Sequence, residues 1–269
     1  MNFFIILVIL IVAILVTRGI LNKKKEKKIE EARAYFGSAK KHIEANNLEQ
    51  ALKDYNTGME ISPKPSHYSY RDRADLLSRM GKYEEAIADY SEIIKVRLKD
   101  LKFAVKLPPD QRGSMSLEYR SAVAEAYGLR GDMHSAMGNT SLAQDDYNEA
   151  IEYYNMQVQL APKSPHYLSD RGEMFLKWGD TARAMADLDK AISLCDKHVA
   201  SDPTDAFYIN CRAKTYARKG NLDLAIEDYQ KVLAIDIKTA EDEFDRDILL
   251  DEQEEARKEL DDLKKRINQ

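Results

Sequence analysis

Five stretches of this chain superimpose without a gap: NNLEQALKDYNTGMEISP at 46–63, GKYEEAIADYSEII at 81–94, GNTSLAQDDYNEAI at 138–151, GDTARAMADLDKAI at 179–192 and GNLDLAIEDYQKVL at 220–233. Each carries a turn residue, an alanine five places on, an aspartate three later, and then tyrosine or leucine. A supersecondary unit that recurs in this way buries its apolar face by stacking on its neighbours, so the chain is committed to an array. Only seven prolines and eleven glycines interrupt the 269 residues, and Ala, Leu, Glu, Lys, Asp and Tyr dominate, as in an all-helical protein.

Upstream of each turn lies a partner helix whose eighth position is small: Ala39, Ala74, Gly131, Gly172 and Ala213. The pattern resembles the tetratricopeptide repeat family from residue 32 to about 238. The resemblance implies an all-α fold, a right-handed superhelical α-solenoid of about five helical hairpins, with units near 32–65, 67–107, 116–161, 165–201 and 206–238 inside an array spanning 30–238. It also implies that the small residues let the two helices of a hairpin close up, while Tyr55, Tyr90, Tyr147, Leu188 and Tyr229 wedge between units.

The anchoring alanines Ala51, Ala86, Ala143, Ala184 and Ala225 are spaced 35, 57, 41 and 41 apart, against a family repeat of 34. Seven extra residues are about two helical turns, so the second helices of units three and four should be long, stopping near Pro162 and Pro203. The segment 98–118 reads as an extended helix, a break at Pro108-Pro109 and a new helix capped near Ser114 or Ser116, or else as a docking loop.

Position seven of units two to five is always arginine (Arg73, Arg130, Arg171, Arg212), and position twenty-three of all five is aspartate (Asp54, Asp89, Asp146, Asp187, Asp228). Because each first helix of the family packs on the preceding second helix, an inter-unit ladder is expected: Asp54 with Arg73, Asp89 with Arg130, Asp146 with Arg171, Asp187 with Arg212. Asp228 is left for Arg246. A guanidinium meeting a carboxylate through two hydrogen bonds fixes register.

Before the array, Phe3 to Val16 is unbroken apolar sequence and TRGIL extends it to Leu21, close to the roughly 20 residues that cross hydrocarbon. The basic cluster Lys23 to Lys28 follows, and no basic segment precedes the run as in a cleaved signal peptide. The expectation is a transmembrane anchor at 1–22, a basic linker at 23–29, and a single-pass protein contacting the bilayer through 3–21, N-terminus outside and repeats cytoplasmic. At the other end, 239–269 is an amphipathic helix with Leu249, Ala256, Leu260, Leu263 and Ile267 at heptad-like spacing; it caps the array, or forms a homodimer.

Nothing in the sequence converges for catalysis. His42, His67, His134, His166 and His198 are dispersed, Cys195 and Cys211 lack metal-ligand spacing, and no phosphate loop or nucleophile elbow occurs. We expect no enzymatic activity, cofactor or metal. Residues 29–269 carry a net charge of −10, the whole chain's −5 less the +5 of residues 1–28, which argues against nucleic acid.

The resemblance places Arg33, Phe36, Lys40, Tyr68, Arg71, Asp72, Asp75, Glu125, Asp132, His166, Asp170, Glu173, Phe207 and Lys214 along a concave groove of first helices. With Asp72, Asp75, Asp132, Asp170 and Glu173 at its middle, such a groove favours a basic or amphipathic segment of a protein partner. The expected role is a membrane-anchored scaffold or adaptor. The alternatives are a targeting or translocation receptor, a co-chaperone-like client-binding protein, and a regulatory subunit of a membrane enzyme. The set of lysines and asparagines with which some members of the family clamp acidic chaperone tails is not present at positions two, five, six and nine. Unit one has Phe36 and Lys40 there, unit two Asp72, and unit three Glu125 and Leu129, so chaperone-tail binding is disfavoured.

Overall fold

The computed structural model describes the backbone of residues 2–240 and 242–267, with side chains other than those of 2–14, 16, 109–112, 114 and 239. Among the described residues there are eleven α-helices, one 3-10 turn (Ile237–Thr239) and no strand. Five hairpins succeed one another: α1 (Asn2–Glu44) with α2 (Leu48–Ile61), α3 (His67–Arg79) with α4 (Tyr83–Ala104), α5 (Pro109–Ala136) with α6 (Thr140–Leu160), α7 (Pro165–Trp178) with α8 (Thr181–Ser201), and α9 (Ala206–Lys219) with α10 (Leu222–Ala234). α11 (Glu243–Ile267) follows. The chain forms two compact bodies, residues 1–99 with 136–138 and residues 100–135 with 139–269.

Each hairpin turns on one residue in the left-handed region: Gly81, Gly138, Gly179 and Gly220, and Asn46 with φ 55° in the first hairpin. Asparagine tolerates that conformation better than other non-glycine residues, which is why the first repeat keeps its turn without a glycine. At position eight the reason for a small residue is contact. A Cβ on Gly172 would stand 2.9 Å from Leu188 Cγ and 3.3 Å from the Ala184 carbonyl oxygen, and one on Gly131 would stand 2.6 Å from the Tyr147 ring.

The long second helices are as the spacing predicts. α6 and α8 each have 21 residues against 14 in α2, and end at Leu160 and Ser201. The widest spacing comes from two extensions: α4 has 22 residues, and α5 begins at Pro109. The segment 98–118 is therefore extended helix on both sides of a short turn, not a docking loop. The new helix starts earlier than expected, with proline at its first position, where its missing N–H costs nothing. The Ser114 side chain lies outside those described, and the Ser116 hydroxyl donates to the Gly113 carbonyl inside the helix rather than capping it.

Two further expectations change. The basic stretch 23–29, expected as a linker, is itself helical, since α1 runs unbroken from Asn2 to Glu44. Among the described residues no helix is long and apolar enough to cross a membrane, and the expected span at 3–21 rests largely on side chains outside that set. The seam of α11 is occupied within the chain: Leu249, Ala256, Leu260 and Leu263 are buried in one cluster with Ile209, Tyr229 and Val232. Gln253 Nε2 donates to the Val232 and Ile235 carbonyls at the end of α10, while Ile267 is exposed. α11 thus closes the last hairpin, and this seam is not available to a homodimer.

Candidate protein-interaction surface

The arginines and aspartates at positions seven and twenty-three do pair, but inside each hairpin. Arg73 Nε and Nη2 donate to Asp89 at 2.8 and 2.6 Å, Arg130 to Asp146 at 2.9 and 2.6 Å, Arg171 to Asp187 at 2.6 and 2.8 Å, and Arg212 to Asp228 at 2.7 and 2.9 Å. The inter-unit ladder is therefore wrong in its partners. Position seven adjoins the small residue where the hairpin's own two helices approach most closely, and the fork closes across that seam. Asp228 needs no Arg246, and Asp54 accepts instead from Gln50 Nε2 at 2.9 Å, with His42 at 3.7 Å.

The third guanidinium nitrogen reaches back one unit. Nη1 of Arg73 donates to Asn56 at 2.9 Å, that of Arg171 to Asn155 at 3.0 Å and that of Arg212 to Asp196 at 2.7 Å. Burial pushes the Asp89 carboxyl up even with Arg73 beside it, while the same contact raises Arg73. Desolvation offsets much of the attraction, and what the fork supplies is register.

In the first body the expected surface residues divide. Arg33, Lys40 and Tyr68 are exposed; Lys40 lies 3.3 Å from Asp72, and Arg71 lies 3.2 Å from Asp75, which also accepts from Tyr90 Oη at 2.8 Å. Phe36 packs over Gly58, whose Cα leaves room for the ring.

The second body contains a connected network along α5, α7 and α9. Lys177 Nζ lies 2.9 Å from both Asp132 and Glu173; Arg218 lies 2.9 Å from Asp170 and 2.7 Å from Glu173. Tyr147 Oη donates to Asp132 at 2.9 Å, His166 Nε2 is 3.2 Å from Asp170, and Arg218 donates to Ser169 at 2.7 Å. Burial alone would raise the Glu173 carboxyl, but Arg218 and then Lys177 outweigh it and hold its pKa down at about 2. Burial, reinforced by Asp132, lifts the Tyr147 hydroxyl to about 12.

This network corrects the expected acidic groove. Asp132, Asp170 and Glu173 are brought together, yet Lys177 and Arg218 largely neutralise them. Both cations occupy position thirteen of their repeats, and each reaches acids at position six or nine of the preceding repeat. A ladder between units therefore exists, built by position thirteen rather than seven. The sequence signal was the Glu173 to Lys177 spacing of four along one helix face.

Lys214 is likewise engaged: it pairs with Glu255 of α11, beside Asn210 Nδ2, which donates to the Glu252 carbonyl at 2.8 Å. Position two differs. Glu125 and Phe207 are exposed and the His166 side chain is 45% exposed, so this row faces outward on the same three helices. Cys195 and Cys211 are free and buried, and Cys211 together with burial pushes the Cys195 thiol up. Among the described residues no three His, Cys, Asp or Glu side chains are placed to hold a metal ion.

Comparison with known proteins gives a consistent picture of the repeats. Two family models, both described as tetratricopeptide repeat, match residues 137–210, and 68–100 with 212–236. A search of curated proteins found no match. Similar solved structures include a thermophilic TPR protein of Thermus thermophilus (15% identity, 82% of this chain and 98% of that one, TM-score 0.43). Others are a putative kinesin light chain of Podosopora anserina with nearly identical TPR-like repeats (15%, 80% and 99%, TM-score 0.44) and YrrB, a TPR protein with an unusual peptide-binding site (20%, 77% and 89%, TM-score 0.33). At these values nothing about partners passes from them to this chain. The matched segments take in α3 with most of α4, α6 to α8, and most of α9 with α10, and the chain carries tetratricopeptide repeats over residues 68–100, 137–210 and 212–236.

Proposed function

We propose that this protein is a membrane-anchored adaptor without catalytic activity. In this reading the apolar run 3–21 holds it in a bilayer with the N-terminus outside and the repeats cytoplasmic, and the second body docks a segment of a protein partner. Tetratricopeptide repeats mediate protein–protein interactions in general, which supports the coarse assignment. The observation that carries the finer one is the exposure along position two of α5, α7 and α9: Glu125 and Phe207 are exposed and the His166 side chain is 45% exposed beside Asp170, whereas Asp132, Asp170, Glu173, Lys177 and Arg218 are drawn into ion pairs. That row suits an amphipathic segment with an apolar side chain for Phe207.

The test is crosslinking in intact membranes followed by affinity purification and mass spectrometry, comparing wild type with the His166→Ala/Phe207→Ala variant. A defined partner should be lost while the circular dichroism spectrum and Tm stay at wild-type values, because neither side chain belongs to the core. Retention of the same partner by a folded, anchored variant would sink the position-two assignment.

A further inference from the structure

We infer that the exposed lysine collar of α1, Lys23, Lys24, Lys25, Lys27 and Lys28, binds the phosphate headgroups of anionic phospholipids at the surface of the membrane that anchors the chain; this rests on the anchor reading above. All five lysines are exposed on a helix that continues without interruption from Asn2 to Glu44. Five cations within less than two turns of helix project in several directions around its axis, so the collar faces the surrounding lipid headgroups rather than one protein groove. The first residue of α1 buried against the repeats is Ala32 at 1% exposure, so none of the collar is engaged in packing the array.

Distance decides which charge the membrane feels. At 1.5 Å per residue, Lys23 to Lys28 lie about 3 to 10 Å beyond Leu21 along the axis, within roughly one Debye length of the bilayer surface at physiological salt. Within the first body, residues 29–99 hold twelve Lys/Arg and twelve Asp/Glu, so no net charge there opposes the collar. Attraction by the collar therefore meets no net repulsion from the rest of its own body. Each lysine near an anionic surface favours association by roughly fivefold. Glu26, the one acid in the stretch, leaves a net charge of +4 over residues 23–28.

The full-length protein is reconstituted into vesicles of phosphatidylcholine alone and of phosphatidylcholine with 30% phosphatidylglycerol, each containing a photo-crosslinkable probe lipid with either headgroup. Wild type should crosslink to the phosphatidylglycerol probe several-fold more than to the phosphatidylcholine probe, with the excess declining at 0.5 M salt. The variant with all five lysines changed to glutamine should stay with both vesicle types and lose that preference. Equal crosslinking of the two probes by wild type, or an undiminished preference in the variant, overturns the collar proposal. Failure of wild type to stay with phosphatidylcholine vesicles while it binds the phosphatidylglycerol ones in a salt-sensitive way would refute the anchor and leave the collar standing.

Discussion

Arg171 shows how far a single residue can be read from sequence and where the reading stops. Its recurrence at position seven, sixteen residues ahead of an aspartate, made an ion pair legible, but helical periodicity fixes a side chain's face and not which of two flanking helices fills the space there. The fork closes on Asp187 of its own hairpin, and only Nη1 crosses to Asn155. Asp187 is 8% exposed, so Arg171→Ala should cost about 3–5 kcal/mol in denaturant unfolding by leaving that carboxylate buried and unpaired. The double variant Arg171→Ala/Asp187→Leu should recover most of the loss, and additive losses would contradict the pairing. Glu173 supplies a pH test. Its folded pKa of about 2 lies below the ordinary 4.5, so the unfolded chain binds the proton more tightly. Its contribution is complete above pH 4.5 and disappears as pH falls towards 2, amounting to as much as about 3 kcal/mol. Glu173→Gln should start less stable at pH 7 and lose less on acidification; parallel curves for the two proteins would refute the role of Lys177 and Arg218.

At the scale of elements, the hairpins were legible because their signals are local: a turn residue, a small residue at position eight and seven extra residues in each long second helix. The start of α5 was not, since Pro109 reads equally as a helix breaker and as a first-turn residue, and serines downstream offered false caps. The continuity of α1 was missed because a change of composition at Lys23 looks like a boundary, although lysine and glutamate propagate a helix well. α11 was recognised as apolar on one face, but only the contacts with α9 and α10 decide between capping and dimerisation. Leu260, 5% exposed in that seam, provides the check. Leu260→Ala should cost about 2–5 kcal/mol. Native-state hydrogen exchange should speed up first in α9 and α10, which α11 covers. Unchanged protection there, or a concentration-dependent dimer signal lost in the variant, would contradict capping.

For the molecule as a whole, the first helices of the second body put different positions to different surroundings. Acids at six and nine meet cations at thirteen and join consecutive repeats; position two faces outward. The sequence alone made the acids conspicuous and assigned them to a partner, because the compensating cations lie in neighbouring repeats and become visible only when α5, α7 and α9 are side by side. The proposed docking therefore falls to the exposed row at position two, where His166 borders the network at Asp170. The most direct measurement places a photo-crosslinking amino acid at Phe207, at His166 or at Lys197, an exposed position of α8, and irradiates the protein in its native membrane. The account predicts the same discrete adduct from Phe207 and His166 and none from Lys197. An adduct from Lys197 alone, or equal labelling from all three sites, would contradict it.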